Sequence, residues 1–61
     1  MFRTFTEAVF KSEVLINLKE VAFIRPSSDP ERCFVQLSSG VGYNLEYPYE
    51  ELKAILLGMV D

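Results

Sequence analysis

The chain is poor in the residues that hold very small proteins together. Its 61 residues include one cysteine, Cys33, and no histidine or tryptophan. A single cysteine excludes an internal disulfide, and without imidazole ligands a zinc site is not expected either. Domains of about 60 residues bury only roughly 60% of their unfolded surface and are marginal alone. Self-association is the remaining device of small folds, so we expect a homo-oligomer, a dimer or larger, with no metal and no cofactor.

Long hydrophobic runs are also missing. The longest contain four residues, for example 21–24, whereas a membrane-spanning helix needs about 20. The N-terminus lacks a charged region followed by an uninterrupted apolar segment, so no signal peptide is expected. A lone cysteine fits a reducing compartment. These features predict a single cytoplasmic domain over residues 1–61, with no membrane partner.

The charge is acidic, with a formal net value of −3. The surplus is C-terminal, because residues 41–61 hold one lysine against Glu46, Glu50, Glu51 and Asp61. Nucleic-acid-binding domains carry a basic patch or stripe. The charge pattern therefore does not favour a nucleic-acid partner.

Strand-forming residues dominate the first three quarters of the chain. The extended segments are 2–10, 14–16, 21–25, 32–37 and 41–46. Asn17 with a glutamate three residues later predicts a single helical turn over Leu18–Glu20. Ser39-Gly40 indicates a hairpin whose glycine takes a positive φ. We expect three or four strands, because the first two segments could be one bent strand.

A helix is predicted at the C-terminus. Pro48 suits its first position, and the two glutamates that follow complement the helix dipole. Apolar residues recur there at helical spacing: Leu52, Ile55, Leu56 and Met59. The predicted fold is α+β, with a small antiparallel sheet of three or four strands and one C-terminal α-helix packed on one face.

Both faces of this sheet are predicted to be apolar. Strict alternation puts Phe23 and Ile24 on opposite faces, and Phe34 opposite its valine and cysteine neighbours. One helix covers one face, and the other face of an antiparallel sheet is usually polar. We therefore predict an interface on the face away from the helix, with Phe34 at its centre and Phe23 or Ile24 beside it. Tyr47 and Tyr49 could pack on the helix start or join this interface.

Two arginines are candidate anion contacts. Arg25 and Arg32 flank the 26–31 loop, so antiparallel strands would bring both to one rim. There they could hold a phosphate or a carboxylate of a protein partner. The alternative is a rim pair offset by Asp29 and Glu31 of the same loop.

No set of residues indicates catalysis. A nucleophilic Cys33 needs a nearby base, and the chain has no histidine to supply one, so a buried structural cysteine is expected. Glu50 and Glu51 diverge by about 100° on a helix and do not converge on one ion. No residue is therefore assigned a catalytic, cofactor-binding or metal-binding role.

One longer pattern resembles a known family. Residues 14–26, VLINLKEVAFIRP, precede a loop, a Val/Leu strand, Ser39-Gly40 and a helix starting near Tyr49-Glu50-Glu51-Leu52. This arrangement resembles the FlbD-like family of small bacterial and phage-borne proteins, and it is similar in outline to the LytTR-type DNA-binding domain. The first resemblance implies a link to flagellar function without defined chemistry. The second implies DNA contact through basic loops.

These observations favour a non-enzymatic, self-associating protein-interaction or regulatory module of bacterial or phage type. The alternative is a small nucleic-acid-binding transcriptional regulator with its basic residues on one face. Those residues are Arg3, Lys11, Lys19, Arg25 and Arg32.

Overall fold

The computed structural model describes residues 1–59 and confirms the α+β class with antiparallel strands and a C-terminal helix. The elements are β1 (Phe2–Thr6), β2 (Glu13–Asn17), a 3-10 turn (Leu18–Glu20), β3 (Val21–Pro26), β4 (Cys33–Leu37), β5 (Gly42–Leu45) and α1 (Tyr49–Leu57). There are five strands rather than three or four, and they divide between a β1-β2 sheet and a β3-β4-β5 sheet.

The two sheets meet at one corner. Glu7 and Leu45 form an isolated antiparallel bridge, and the N–H of Glu46 donates to the carbonyl of Thr6 at 2.8 Å. β1 therefore has β2 on one side and the end of β5 on the other. Across both sheets the spatial order is β2-β1-β5-β4-β3, which leaves β2 and β3 at the two ends.

The predicted turns are confirmed. The side chain of Asn17 accepts a hydrogen bond from the backbone N–H of Lys19 at 3.1 Å, so the amide caps the 3-10 turn. Gly40 has a φ of 98° in the hairpin between β4 and β5. Only residues without a Cβ adopt this φ without strain, which explains a glycine here.

Strand β3 is irregular, and this irregularity overturns the alternation predicted for it. The pairing of β3 with β4 shifts by one residue between Val21 and Phe23, which makes Ala22 the extra residue of a β-bulge. Val21 and Ile24 both pack against the core as a result, while Phe23 is exposed. Strict alternation would put Val21 on the same face as Phe23, and the bulge shows that this alternation does not hold.

The core lies between the sheets and the helix. Its buried members are Phe5, Ile16, Leu18, Cys33, Val35, Leu45 and Leu52. Leu52 is the contribution of α1 and is 1% exposed. Because Leu52 joins the cluster formed by Cys33 and Val35 of β4, the helix covers the β4 face opposite to Phe34. Within residues 1–59, no helix is long and apolar enough to cross a membrane.

Candidate interaction surface

The face of the β3-β4-β5 sheet that α1 does not cover carries an aromatic and arginine cluster. Strand register places Arg25 opposite Phe34, and Phe23 opposite Gln36, on this outer face. We call Phe23, Arg25 and Phe34 the outer-face cluster. The cluster joins residues of β3 and β4, and its most distant members in sequence, Phe23 and Phe34, are eleven positions apart.

The three side chains of the outer-face cluster contact one another. The ring centroids of Phe23 and Phe34 are 6.3 Å apart, at an interplanar angle of 42°. The guanidinium carbon of Arg25 lies 5.7 Å from the Phe23 centroid and 5.2 Å from the Phe34 centroid. Each such cation–π contact is worth about 0.5–1 kcal/mol at an exposed site. Aromatic residues and arginine are also the residue types enriched at protein interfaces.

Gly42 forms the floor under Phe34. A Cβ added at Gly42 would lie 2.5 Å from Cζ and 2.9 Å from Cε1 of the Phe34 ring. The ring therefore lies directly over the glycine backbone of the neighbouring strand β5. An aromatic side chain that covers a strand glycine compensates for the missing side chain, so this contact helps to hold the Phe34 ring over β5.

The structure brings only part of the predicted interface together. Phe23, rather than Ile24, lies beside Phe34, because Ile24 pairs with Val35 and so faces the core. Tyr47 packs edge-on against Phe5 with ring centroids 5.2 Å apart. Tyr49 has the ammonium of Lys53 6.0 Å from its ring centroid. Both tyrosines are half-buried against the core and are separate from the outer-face cluster.

The two candidate anion contacts have different partners. Arg25 lies over the rings of the outer-face cluster. Arg32 pairs with Glu46 at 3.4 Å and, through Nε, with Asp29 at 3.8 Å. The carboxylate of Asp29, from the loop between β3 and β4, thus partly neutralises the charge of Arg32. This is part of the alternative in which Asp29 and Glu31 offset the two arginines. Arg25 and Arg32 do not converge on a shared partner among the described residues.

The remaining basic residues also lie in separate settings. Lys11 forms a salt bridge with Glu46, so the Glu46 carboxylate pairs with both Lys11 and Arg32. The hydrogen bond and the charge of Lys11, together with Arg32, hold the pKa of the Glu46 carboxyl below its ordinary value. Arg3 donates to the hydroxyl of Tyr47 at 3.4 Å, and Lys19 lies in the exposed part of the 3-10 turn.

Sequence reasoning missed the Glu7 loop, which comprises residues 7–12. The carboxylate of Glu7 is buried and accepts hydrogen bonds from the N–H of Val9 at 2.6 Å and of Phe10 at 2.9 Å. Lys11 follows with a φ of 59°, unusual for a residue with a Cβ. The result is a closed turn whose Phe10 is 84% exposed. Only a glutamate followed by apolar residues signals this turn in the sequence, and that pattern is too common to identify it.

Comparisons with protein families, curated proteins and solved structures find no match for this chain. The resemblance to FlbD-like proteins and to the LytTR-type domain stays a prediction. The candidate residues are accordingly assigned from the geometry of this chain.

The groups that could carry chemistry are few. Cys33 is fully buried, and burial raises the pKa of its thiol, which disfavours the reactive thiolate. This agrees with the structural role predicted for Cys33. Among residues 1–59, no three of the His, Cys, Asp and Glu side chains are placed to hold a metal ion together.

Proposed function

We propose that this protein is a non-enzymatic protein-interaction or regulatory module of bacterial or phage type, acting in the cytoplasm, whose copies associate through the outer-face cluster. One observation carries the proposal. Phe23, Arg25 and Phe34 form a contacting aromatic and arginine group on the sheet face that the helix leaves uncovered. Aromatic residues and arginine are enriched at protein interfaces, and arginine is also enriched among the residues that contribute most of the binding energy.

A second copy is the occupant that suits this surface. The outward positions that the strand register places around the cluster, Gln36, Gly42 and Asn44, add no charge to that of Arg25. A binding partner can therefore offer the guanidinium a π-face, a neutral acceptor or a carboxylate, and a second copy of this chain offers the π-face. Around a two-fold axis, each copy supplies a Phe34 ring to Arg25 of the other, since isologous contacts pair the same surface with itself. A chain with so small a core and no internal disulfide has little stability of its own, and association through such a contact would add to it.

The test is the solution mass of charge variants at micromolar concentration. Phe23→Asp places a carboxylate in the outer-face cluster at an exposed position, so it should lower the mass measured by light scattering while leaving the circular dichroism spectrum unchanged. Phe34→Asp should do the same or unfold the chain. The matched control is Phe10→Asp, which removes an even more exposed ring from a different surface.

The control decides how a lower mass is interpreted. If the mass falls for Phe23→Asp and not for Phe10→Asp, the outer-face cluster is the contact. If the mass and the melting temperature of Phe23→Asp and Phe34→Asp equal those of the wild type, this surface is rejected. An equal fall for the control would mean that general hydrophobicity, and not this cluster, drives association.

A further inference from the structure

The two ends of the strand order differ in how well they are protected. β3 carries three devices that block further strand pairing, namely the bulge at Ala22, the terminal Pro26 and the packing of α1. β2 pairs with β1 on one side and, among the described residues, makes no backbone hydrogen bond to another element on its other side. It contains no proline and no bulge. β2 is therefore an open sheet edge.

The open edge also has an apolar outer face. Phe2 lies opposite Asn17 and Thr4 opposite Leu15, so these four residues share one face of the β1-β2 sheet. Phe2 and Leu15 are 63% and 64% exposed on this face. Val14 and Ile16 occupy the other face, against the core. A free edge of β-branched and apolar residues offers unpaired N–H and C=O groups, and the chemistry that satisfies them is another extended strand.

We propose that β2 pairs antiparallel with β2 of a second copy, around a two-fold axis that passes through Leu15. This register is the one that pairs all five residues of the strand. It places Leu15 opposite Leu15, Val14 opposite Ile16, and Glu13 opposite Asn17. Apolar pairs thus face apolar pairs, and no two carboxylates lie directly opposite each other, which would be unfavourable.

Asn17 adds a specific complementarity. Its Oδ1 accepts from the backbone N–H of Lys19 at 3.1 Å and from the N-terminal ammonium of Met1 at 3.4 Å. The amide NH₂ of Asn17 has no acceptor among the described residues. In the proposed register the carboxylate of Glu13 from the second copy lies opposite this donor. β2 therefore carries a hydrogen-bond donor, the Asn17 amide, at one end and an acceptor, the Glu13 carboxylate, at the other. The two-fold axis pairs donor with acceptor at both ends of the contact.

The proposal rests on self-association, the proposed function, but it uses a different surface. Edge pairing would create one continuous β1-β2-β2-β1 sheet across two copies. The outer-face cluster lies on the other sheet. Two separate isologous contacts on one chain would generate assemblies larger than a dimer.

Disulfide cross-linking tests the register. Residues directly opposite in an antiparallel pair have Cα atoms about 4.5–5.5 Å apart, within the 4.4–6.8 Å that a disulfide spans. Leu15→Cys should therefore form a covalent dimer under mild oxidation, visible on a non-reducing gel. The native Cys33 is fully buried and does not compete. The matched control, Thr4→Cys, is exposed on the same face but would lie about 14 Å from its counterpart, three strand spacings away.

The outcomes separate this proposal from the proposed function. The edge contact is supported if Leu15→Cys cross-links well above Thr4→Cys and still does so when Phe23→Asp is added. This conclusion does not depend on whether the outer-face cluster mediates association. If Leu15→Cys cross-links no more than Thr4→Cys while Phe23→Asp still lowers the mass, the edge contact is overturned and the outer-face contact stands. A wild-type chain that stays monomeric up to millimolar concentration would overturn both.

Discussion

The carboxylate of Glu7 accepts a hydrogen bond from the backbone N–H of Phe10 at 2.9 Å, so a buried acid fixes the backbone of the residue whose aromatic side chain is the most exposed. The same carboxylate accepts from Val9, and the backbone N–H of Glu7 donates to the carbonyl of Ser12 at 2.7 Å. The loop is thus closed from both ends by one residue. Glu7 also forms the bridge to Leu45, so the loop is tied to the corner where the two sheets meet.

Removing this carboxylate should destabilise the fold. Glu7→Ala leaves the N–H groups of Val9 and Phe10 without their acceptor, and we expect the free energy of unfolding to fall by about 2 kcal/mol. Glu7→Gln keeps one acceptor oxygen, so we expect a loss of about 1 kcal/mol. Urea denaturation followed by circular dichroism measures both. Equal stability of all three proteins would show that the loop closes without the carboxylate.

Acid should weaken the fold partly through Glu46. Lys11 and Arg32 hold the pKa of the folded-state carboxyl below the ordinary glutamate value of about 4.3. The folded state then binds fewer protons than the unfolded state, so the ion pairs stabilise the fold above about pH 4.3 and lose this effect as the pH falls below it. We expect Glu46→Gln to flatten the pH dependence of the unfolding midpoint between about pH 5 and pH 3.

The control for Glu46 is Glu31→Gln. Glu31 is exposed in the loop before β4 and forms no ion pair among residues 1–59. Its variant should keep the acid slope of the wild type. An identical slope for Glu46→Gln and the wild type would contradict the assignment.

The contact between Gly42 and Phe34 should appear as a coupling energy. Gly42→Ala forces the ring of Phe34 off its place, since the new Cβ would lie 2.5 Å from Cζ. In a Phe34→Ala background the ring is gone, and the remaining close neighbour of the new Cβ is Oε1 of the flexible Gln36 side chain at 3.1 Å. We expect the double-mutant cycle, measured by urea unfolding, to give a coupling of about 1 kcal/mol. Additive effects of the two substitutions would mean that the ring does not lie over the glycine.

The packing of α1 on the core should depend mainly on a single leucine, Leu52. Leu52 is 1% exposed in the core, so Leu52→Ala should cost about 3 kcal/mol, most of the stability expected for so small a domain. Leu57 lies on the same helix but is exposed, and Leu57→Ala should change stability by no more than about 0.5 kcal/mol. Thermal unfolding of both variants compares them directly. Similar losses would contradict the placement of the helix.

The thiol of Cys33 should react only when the chain opens. Burial raises the pKa of this thiol, which keeps it protonated and shielded at neutral pH. We expect alkylation by iodoacetamide at pH 8 to be slow in buffer and fast in urea. A second thiol introduced by Leu57→Cys, at an exposed helix position, should react at once in buffer. Fast labelling of Cys33 in the folded wild type would contradict its buried position.

Local features were predictable from the sequence where one residue decides the backbone. Asn17 caps its turn, Gly40 takes a positive φ, and Asp29 accepts from the N–H of Glu31 at 2.9 Å. The pairing of β4 with β5 was also predictable, because apolar and polar residues alternate in both strands on either side of the Ser39-Gly40 hairpin, and the observed register places Val35 opposite Tyr43.

Features that depend on long-range contacts or on an extra residue were not predictable. The segment 21–24 is apolar at every position, so no polar residue marks the bulge at Ala22. The way the two sheets join depends on the bridge between Glu7 and Leu45, which lie 38 positions apart. At the candidate site, the sequence left Phe23 and Ile24 as alternatives beside Phe34, and the strand register, which pairs Ile24 with Val35, decides for Phe23. Arg25 was considered as an anion contact, and its position over two aromatic rings follows from cross-strand register.

The irregular end of β3 has a consequence for how large an assembly can become by strand addition. With a kink at Ala22 and a missing N–H at Pro26, β3 cannot act as a template, which leaves β2 as the sole growing point in residues 1–59. In the language of polymer chemistry, each molecule is monofunctional for this reaction. Joining two of them consumes both reactive ends, so concentrated solutions should stay free of fibres that elongate by this route.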